Sequence, residues 1–80
     1  MVAAFVLTQM ALSGGWADAH ALHTALHAIA GVKTVHFLTG PTDILIFVEV
    51  ADQSALMDSL GKIRAVKGVT STDTRMVLPM

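Results

Sequence analysis

The spacing of apolar and polar residues along the chain predicts four strands and two helices. Short apolar, β-branched or aromatic runs have the length of strands, whereas two longer segments place Leu, Ile and Val at the three- and four-residue spacing of a helix. The predicted strands are residues 2–9, 36–39, 44–48 and 72–78. The predicted helices are residues 16–30 and a segment that begins after Asp52 or Ser54 and ends at Gly68.

The second and third strands are joined by the strongest turn signal in the sequence, Gly40-Pro41-Thr42-Asp43. Pro41 fixes its own φ near the value that the second position of a turn needs, and the Asp43 side chain can accept a hydrogen bond from nearby backbone. We therefore predict a hairpin with a polar tip on an apolar base.

The order β-α-β-β-α-β contains two similar halves. Ile29-Ala30-Gly31-Val32 and Val66-Lys67-Gly68-Val69 each read as a helix end, a glycine stop and a valine that returns to the core. Right-handed crossovers leave few arrangements for a doubled βαβ unit, and the best fit is the α+β ferredoxin-like fold. It has an antiparallel four-stranded sheet with both helices on one face. The other face would lack cover, which predicts a dimeric α/β sandwich formed sheet to sheet.

Composition supports a single oligomeric domain over residues 1–80. Hydrophobic residues make up 54% of the chain and charged residues only 14%, which is more apolar surface than one small core can bury. Net charge is −1 and the five Lys and Arg are scattered, so direct nucleic-acid binding is not expected. The absence of cysteine and of an apolar run of roughly 18 to 20 residues indicates a cytoplasmic chain without a membrane span.

Several short segments, taken together in the order in which they occur along the chain, resemble the ligand-binding domain of the Lrp/AsnC (feast/famine) transcription regulators, also called the RAM domain. The similarity covers essentially the whole chain. It is carried by Ala4-Phe5-Val6-Leu7, Ile29-Ala30-Gly31-Val32, Thr39-Gly40-Pro41-Thr42-Asp43, Val48-Glu49, Lys62-Ile63, Gly68-Val69 and Thr72-Asp73-Thr74. Since 80 residues leave no room for the family's helix-turn-helix, the sequence looks like a stand-alone version of the module.

The resemblance implies a dimer that assembles further, often into octamer-like rings, and that binds amino-acid effectors between dimers. It also implies a non-enzymatic role without a cofactor, with a full-length regulator of the same family as a possible partner. Carried over by residue, the ligand site would comprise Gly40, Pro41, Thr42 and Asp43 of the turn with Thr72 and Thr74 of the last strand. The family commonly has an aromatic residue, usually Tyr, where this chain has Thr42, which leaves the identity of the effector open.

The residues of this candidate site also have a simpler interpretation. Asp43 could accept from an effector's ammonium group, with backbone N–H groups or threonine hydroxyls donating to its carboxylate. Alternatively, the turn is structural, with Asp43 bonded to its own backbone, and Thr72 and Thr74 reflect ordinary strand propensity.

Histidines supply the remaining candidate chemistry. Trp16, His20, His23 and His27 fall on one stripe of the first helix, where imidazoles could bind zinc or respond to pH near 6.5, or simply face solvent or another subunit. No carboxylate completes an HExxH motif, so the metal interpretation is the weaker one. His36, in a predicted strand, could serve as a general base in a small dimeric α+β-barrel oxygenase or isomerase, which needs a cavity under the sheet. A purely structural oligomer is the third possibility.

Overall fold

Four strands and two helices alternate in the order expected from the sequence. The computed structural model describes residues 1–11 and 15–78, and its account of Trp16 is confined to the backbone. The elements are β1 (Val2–Met10), α1 (Gly15–His27), β2 (Val32–Phe37), β3 (Ile44–Val50), α2 (Gln53–Ala65) and β4 (Val69–Met76). The predicted β-α-β-β-α-β order is confirmed.

The strands form one antiparallel sheet in the order β2-β3-β1-β4. The first strand is therefore central, with Thr8 opposite Ile44 on one side and opposite Thr72 on the other. Side chains alternate between the two faces of a strand. Ala4, Val6 and Thr8 are fully buried on one face, whereas Phe5 between them is 39% exposed on the other.

Both helices cover the same face of the sheet, because residues of α1 and α2 join one core with residues of three strands. The core comprises Ala4, Val6, Leu22, Leu26, Val35, Ile44, Ile46, Val48, Leu56, Leu60 and Ile63. Within the described residues, no buried side-chain polar atom lacks a hydrogen-bond partner. The ferredoxin-like fold class is thus confirmed, with a core between the two helices and one face of the sheet.

The first helix ends at His27, three residues earlier than predicted, because the chain must turn tightly into β2. The amide of Ile29 donates to the carbonyl oxygen of Leu26, three residues earlier, at 3.2 Å. This tighter turn replaces the next turn of the α-helix. Gly31 then adopts a φ of +93°, the left-handed conformation that its predicted helix-stop role requires. A hydrogen bond from the Ser59 hydroxyl to the Ala30 carbonyl oxygen, at 2.7 Å, fixes this turn against α2.

The second helix begins as predicted, with Asp52 as its N-cap. The Asp52 carboxylate accepts from the amide of Ala55 at 2.8 Å, which satisfies one of the first backbone N–H groups of the helix. Gly61 lies in the helix interior and no heavy atom lies within 4 Å of the position that a Cβ would take there. Its backbone is therefore not held by a close neighbour.

Two strands have different limits from those predicted. β2 spans Val32–Phe37 instead of residues 36–39, and β4 begins at Val69 instead of residue 72. In both cases pairing decides the limits, because Val32 is paired with Val48 and Val69 with Met10. Polar residues such as Lys33 and Ser71 weakened the local strand signal. Ser71 is nevertheless paired with Gln9, and Lys33 lies at a register shift between two paired residues of β2.

The face of the sheet opposite the helices is uncovered within the chain. Its centre is apolar and consists of two cross-strand pairs, Phe5 with Phe47 and Leu7 with Leu45. The two phenyl rings lie 5.0 Å apart at 44°, within the range of favourable aromatic packing. We call these four residues the outer apolar patch. Neither described helix is long and apolar enough to cross a membrane.

Candidate functional site

The hairpin that joins β2 and β3 has a defined conformation. The amide of Leu38 donates to the carbonyl oxygen of Asp43 at 2.8 Å and closes the turn. Gly40 has a φ of +107° and no neighbouring heavy atom within 4 Å of its virtual Cβ. Glycine is therefore needed at this position for its backbone conformation and not for close packing. Thr42 and Asp43 are half-buried, whereas Gly40 and Pro41 are exposed.

The central strand holds this hairpin in place from the side. The Asp43 carboxylate oxygen Oδ2 accepts from the amide of Met10 at 3.0 Å, and the Asp43 amide donates to the carbonyl oxygen of Thr8 at 3.2 Å. The side-chain amide of Gln9 donates to the carbonyl oxygen of Pro41. Among the described residues, the Asp43 carboxylate accepts from Met10 and not from the backbone of its own turn, which the structural interpretation had assumed. Its carboxylate connects the hairpin to a strand more than thirty residues away in sequence.

The two threonines of the predicted site lie on the far side of the central strand. Thr72 and Thr74 are opposite Thr8 and Val6, on the face that the helices cover. Two strand spacings, about 9 to 10 Å, separate Thr72 from the start of β3. Its hydroxyl oxygen accepts from Nε of Arg64 in α2 at 3.3 Å. Among the described residues, no hydrogen bond joins either threonine to the turn. One chain thus brings together Gly40, Pro41, Thr42 and Asp43 but does not bring the threonines to them.

A charged pair on β4 borders the outer apolar patch. Asp73 and Arg75 lie opposite Leu7 and Phe5, and Nη2 of Arg75 is 2.8 Å from Oδ2 of Asp73. The hydrogen bond from Arg75 lowers the pKa of Asp73 below its usual value. A lowered folded-state pKa stabilises the fold above the ordinary carboxyl pKa, and this contribution is lost as the pH falls. Because both side chains are more than half exposed, the pair matters as a polar rim rather than as a source of stability.

Three of the four histidines line one pocket at the edge of the sheet. The pocket has a volume of about 420 Å³ and lies between α1 and β2, with His20, His23 and His36 among its lining residues. The sequence placed His36 apart from the helical stripe, because nothing in the spacing indicated that β2 would be the neighbour of α1. The His23 ring, half-buried, packs against Phe37 with centroids 5.8 Å apart, so this part of the stripe is not simply solvated. The side chain of Trp16 lies outside the described residues.

This geometry bears on two interpretations of the histidines, a metal site and a catalytic base. Among the described residues, no three His, Asp or Glu side chains are placed to hold a metal ion, so His20, His23 and His27 do not form a ligand set as they stand. The enzyme alternative required a cavity beneath the sheet. The pocket that His36 lines lies instead at the edge of the sheet, beside α1 and β2.

Comparison with known proteins supports the fold and the family. The family model described as the Lrp/AsnC ligand binding domain matches residues 4–79. The crystal structure of TTHA0845 from Thermus thermophilus is similar, with 28% identity and a TM-score of 0.83, covering 100% of this chain and 96% of that one. FFRP-DM1 is 26% identical with a TM-score of 0.80, and the match covers 98% of this chain and 100% of that one.

Curated relatives of higher identity are synthases. The homocitrate synthase of Sulfurisphaera tokodaii is 49% identical over 53 residues, which is 66% of this chain and 12% of the synthase. That of Sulfolobus acidocaldarius is 46% identical over 50 residues, or 62% of this chain and 11% of the synthase. The chain therefore spans only a small part of the length of these enzymes. Because the family model covers nearly all of the chain, this protein belongs to the Lrp/AsnC ligand binding domain family.

Proposed function

We propose that this protein is a non-enzymatic module that binds an α-amino acid and oligomerises, with Gly40, Pro41, Thr42 and Asp43 as its ligand-binding turn. The observation that carries the proposal is the way β1 holds the turn, because one amide, one carbonyl oxygen and one side chain of β1 fix it before any ligand arrives. A site that is ordered in advance loses less entropy on binding. Family membership supports the class of function, and the turn supplies the chemistry.

In the proposed site, two kinds of protein group bind the two charged ends of the effector. The negative charge of Asp43 pairs with the ammonium group, while its Oδ2 keeps the hydrogen bond to Met10. Backbone N–H groups near Gly40 and the hydroxyl of Thr42 donate to the effector's carboxylate. Thr72 and Thr74 of the same chain lie too far across the sheet, so any role for them requires a second subunit. Ligand sites commonly lie at such subunit junctions.

A second copy of the chain is the proposed cover for the outer apolar patch. Phe5, Leu7, Leu45 and Phe47 are contiguous across β1 and β3, and a polar rim surrounds them on β2 and β4. An apolar centre with a polar rim is the usual composition of a protein interface. Dimerisation of this face would leave the hairpin at the end of the sandwich, where a ring of dimers could share it.

Replacing Asp43 by asparagine tests the ligand site. Asparagine keeps an oxygen that can accept from Met10, so the turn should retain its conformation, but the negative charge is lost. We expect calorimetric titration with the proteinogenic amino acids to identify at least one ligand of the unmodified protein. We expect its Kd to rise about tenfold or more in D43N, since hydrogen bonds to charged groups contribute about 1.5 to 3 kcal/mol.

The matched control is Asp52→Asn, which removes the same charge at the N-cap of α2. Asparagine is as good an N-cap as aspartate, so this variant should bind the same amino acid with unchanged Kd. No heat from any amino acid at millimolar concentration would contradict the proposed function. Equal weakening in both variants would show that net charge, and not contact with Asp43, affects binding.

The synthase relatives favour a second candidate for what the module controls. Identity of 49% with a segment of a synthase exceeds the 28% shared with TTHA0845. We propose that the module acts on a biosynthetic enzyme of this kind, or on a full-length regulator of its own family, by assembling with the corresponding segment. In either case the effector is bound by the module and the response occurs in its partner.

Purified proteins can separate these two partners. We expect this chain, mixed with a homocitrate synthase that contains the similar segment, to elute with it as one species in size-exclusion chromatography with light scattering. Asp52→Asn should leave this co-elution unchanged. Assembly with a full-length Lrp/AsnC regulator but not with the synthase would favour the regulator as partner, and assembly with neither would contradict a partner role.

A further inference from the structure

The two edge strands of the sheet differ in how well their free edges are protected. β2 has six residues and carries Lys33, and its register with β3 shifts between Val32 and Thr34. Lysines and bulges are common devices against edge-to-edge pairing. β4 has eight residues, and its register with β1 is regular from Ser71 to Met76. Among the described strands, β4 has a neighbour on one side only, so its other edge is regular and open to a further strand.

The hydrogen-bonding pattern shows which backbone groups of β4 face this open edge. The amide of Val77 donates to the carbonyl oxygen of Ala3 at 2.9 Å, so the backbone groups of Val77 face β1. In an antiparallel pair, every second residue directs both of its backbone groups to the same neighbour. Counting back from Val77, the residues that direct their N–H and C=O groups to the open edge are Thr72, Thr74 and Met76.

We propose that two copies of the chain pair through β4, antiparallel and centred on Thr74, and that this contact joins two face-to-face dimers into an assembly of four chains. In this register, Asp73 of each copy lies opposite Arg75 of the other. The proposal rests on the dimer proposed above, because one strand pair is small beside the roughly 1,200 Å² or more that stable interfaces bury. The β4 contact therefore forms between dimers and not between single chains.

Charge complementarity identifies a second copy as the occupant of the edge. Asp73 and Arg75 lie on the outer face of β4, both more than half exposed, and form an ion pair of 2.8 Å within the chain. Because their backbone groups face β1, their pairs with the partner strand are the non-hydrogen-bonded ones, where Cα atoms lie about 4.5 Å apart and side chains are closest. Opposite charges in such a pair stabilise a sheet, and like charges destabilise it. The strand is thus complementary to itself.

Met76 gives an independent reason for pairing in this register. Its side chain lies opposite Ala4 on the helix-covered face, yet it remains 45% exposed. About Thr74, Met76 of one copy lies opposite Thr72 of the other, and both direct their backbone groups to the open edge. This pair is therefore hydrogen-bonded, and the partner strand would cover part of the exposed Met76 side chain.

The two contacts have different symmetry axes. The twofold axis of the β4 pair is perpendicular to the sheet, so both copies present their outer apolar patch on the same side. The twofold axis of a face-to-face dimer instead lies between the sheets and parallel to them. Two perpendicular twofold axes that cross give a closed assembly of four chains. Each dimer contributes two β4 edges, so the second edge contact forms within an already assembled particle.

Charge reversal tests the proposed register. We expect sedimentation velocity to show a four-chain species for the unmodified protein and dimers for Asp73→Lys and for Arg75→Glu. Each variant places like charges opposite each other, so the Kd between dimers should rise at least about tenfold. An equimolar mixture of the two variants should form the four-chain species again, because every cross-strand pair then joins opposite charges. A chain that carries both Asp73→Arg and Arg75→Asp should also form it.

Two further variants separate the edge contact from general effects of charge. Asp58→Lys is the matched control, because it reverses an exposed carboxylate that pairs with Lys62 on α2, and it should leave the four-chain species unchanged. Thr74→Pro removes the amide at the centre of the open edge. Edge strands tolerate proline where the N–H group faces solvent, so this variant should remain a dimer with an unchanged circular dichroism spectrum.

The outcomes distinguish the edge contact from the face-to-face dimer. An unmodified protein that remains a dimer at all concentrations would overturn the edge contact and leave the dimer standing. A four-chain species that persists in Asp73→Lys and Arg75→Glu, or that their mixture does not restore, would also overturn it. Monomers of the unmodified protein would contradict both contacts. A dimer that Arg75→Glu dissociates and Phe47→Asp does not would support the β4 contact and contradict the face-to-face dimer.

Discussion

Replacing Gly31 by alanine is expected to lower the free energy of unfolding by about 3 kcal/mol. The backbone φ of +93° disfavours any residue with a Cβ, and this strain costs about 1 kcal/mol or more. The added carbon would also lie 2.5 Å from Cγ1 of Val50 and 3.1 Å from Oγ of Ser59. Forcing atoms into a packed site costs a further 1 to 3 kcal/mol or so. Thermal unfolding at a fixed protein concentration measures the total change in the free energy of unfolding.

Gly61→Ala is the matched control, because it adds the same methyl group where there is space. Gly61 lies inside α2 with no neighbour within 4 Å of a virtual Cβ, so alanine should raise the free energy of unfolding by about 1 kcal/mol through helix propensity. A stability of about 4 to 12 kcal/mol is normal for a chain of this size, so both shifts are measurable. Equal shifts in the same direction would mean that the close approach of Gly31 to Val50 and Ser59 does not determine stability.

Replacing Phe47 by aspartate is expected to convert a dimer into monomers. In the proposed dimer, each copy would place one carboxylate in the centre of the outer apolar patch, where neither could remain fully hydrated. Burying an unpaired charge in an interface typically costs several kcal/mol, so the dimer Kd should rise at least about 100-fold. Within the chain, the loss is limited to the half-exposed contact with Phe5, and the circular dichroism spectrum should keep its helix and strand content.

Met57→Asp is the control for this change. Met57 is 54% exposed on α2, on the side of the sheet away from the patch, so an added charge there should leave the dimer intact. Sedimentation velocity over a range of concentrations measures both variants. A Phe47→Asp protein that dimerises like the unmodified one would show that copies meet through another surface. An unmodified protein that is monomeric at all concentrations would contradict the dimer itself.

The fold was predictable because its signals are local and repeated. Gly31 and Gly68 were expected to occupy equivalent helix-stop positions, and both have positive φ, +93° and +102°. The limits of β2 and β4 were not predictable, because they depend on which residues a neighbouring strand pairs with. Lys33 lies between Val32 and Thr34, which both pair with β3, and Thr70 lies between Val69 and Ser71, which both pair with β1. The pairing of these neighbours carries the strands through both residues.

The sequence identified the residue types of the candidate sites but not the residues that they contact. The turn Gly40 to Asp43 was identified from its own chemistry, yet the acceptor role of Asp43 towards Met10 depends on strand order and register, which turn residues do not encode. For the same reason the turn sequence could not show that β1 separates Thr72 from the turn within one chain. His23 and Phe37 are in contact only because β2 is the strand beside α1. In each case, the missing information is a contact between residues distant in sequence.

The central position of β1 also determines how this chain must fold. Because β1 pairs with β3 on one side and with β4 on the other, its second set of partners lies in a strand that is synthesised much later, as Met10 pairs with Val69 and Ala4 with Met76. Such long-range pairing carries an entropy cost for closing the loop between the strands, and this cost slows folding. During synthesis, β1, β2 and β3 would be complete while the β4 side of β1 is still an unpaired edge. This interval is when the nascent chain is most exposed to pairing with the wrong strand, including that of another copy.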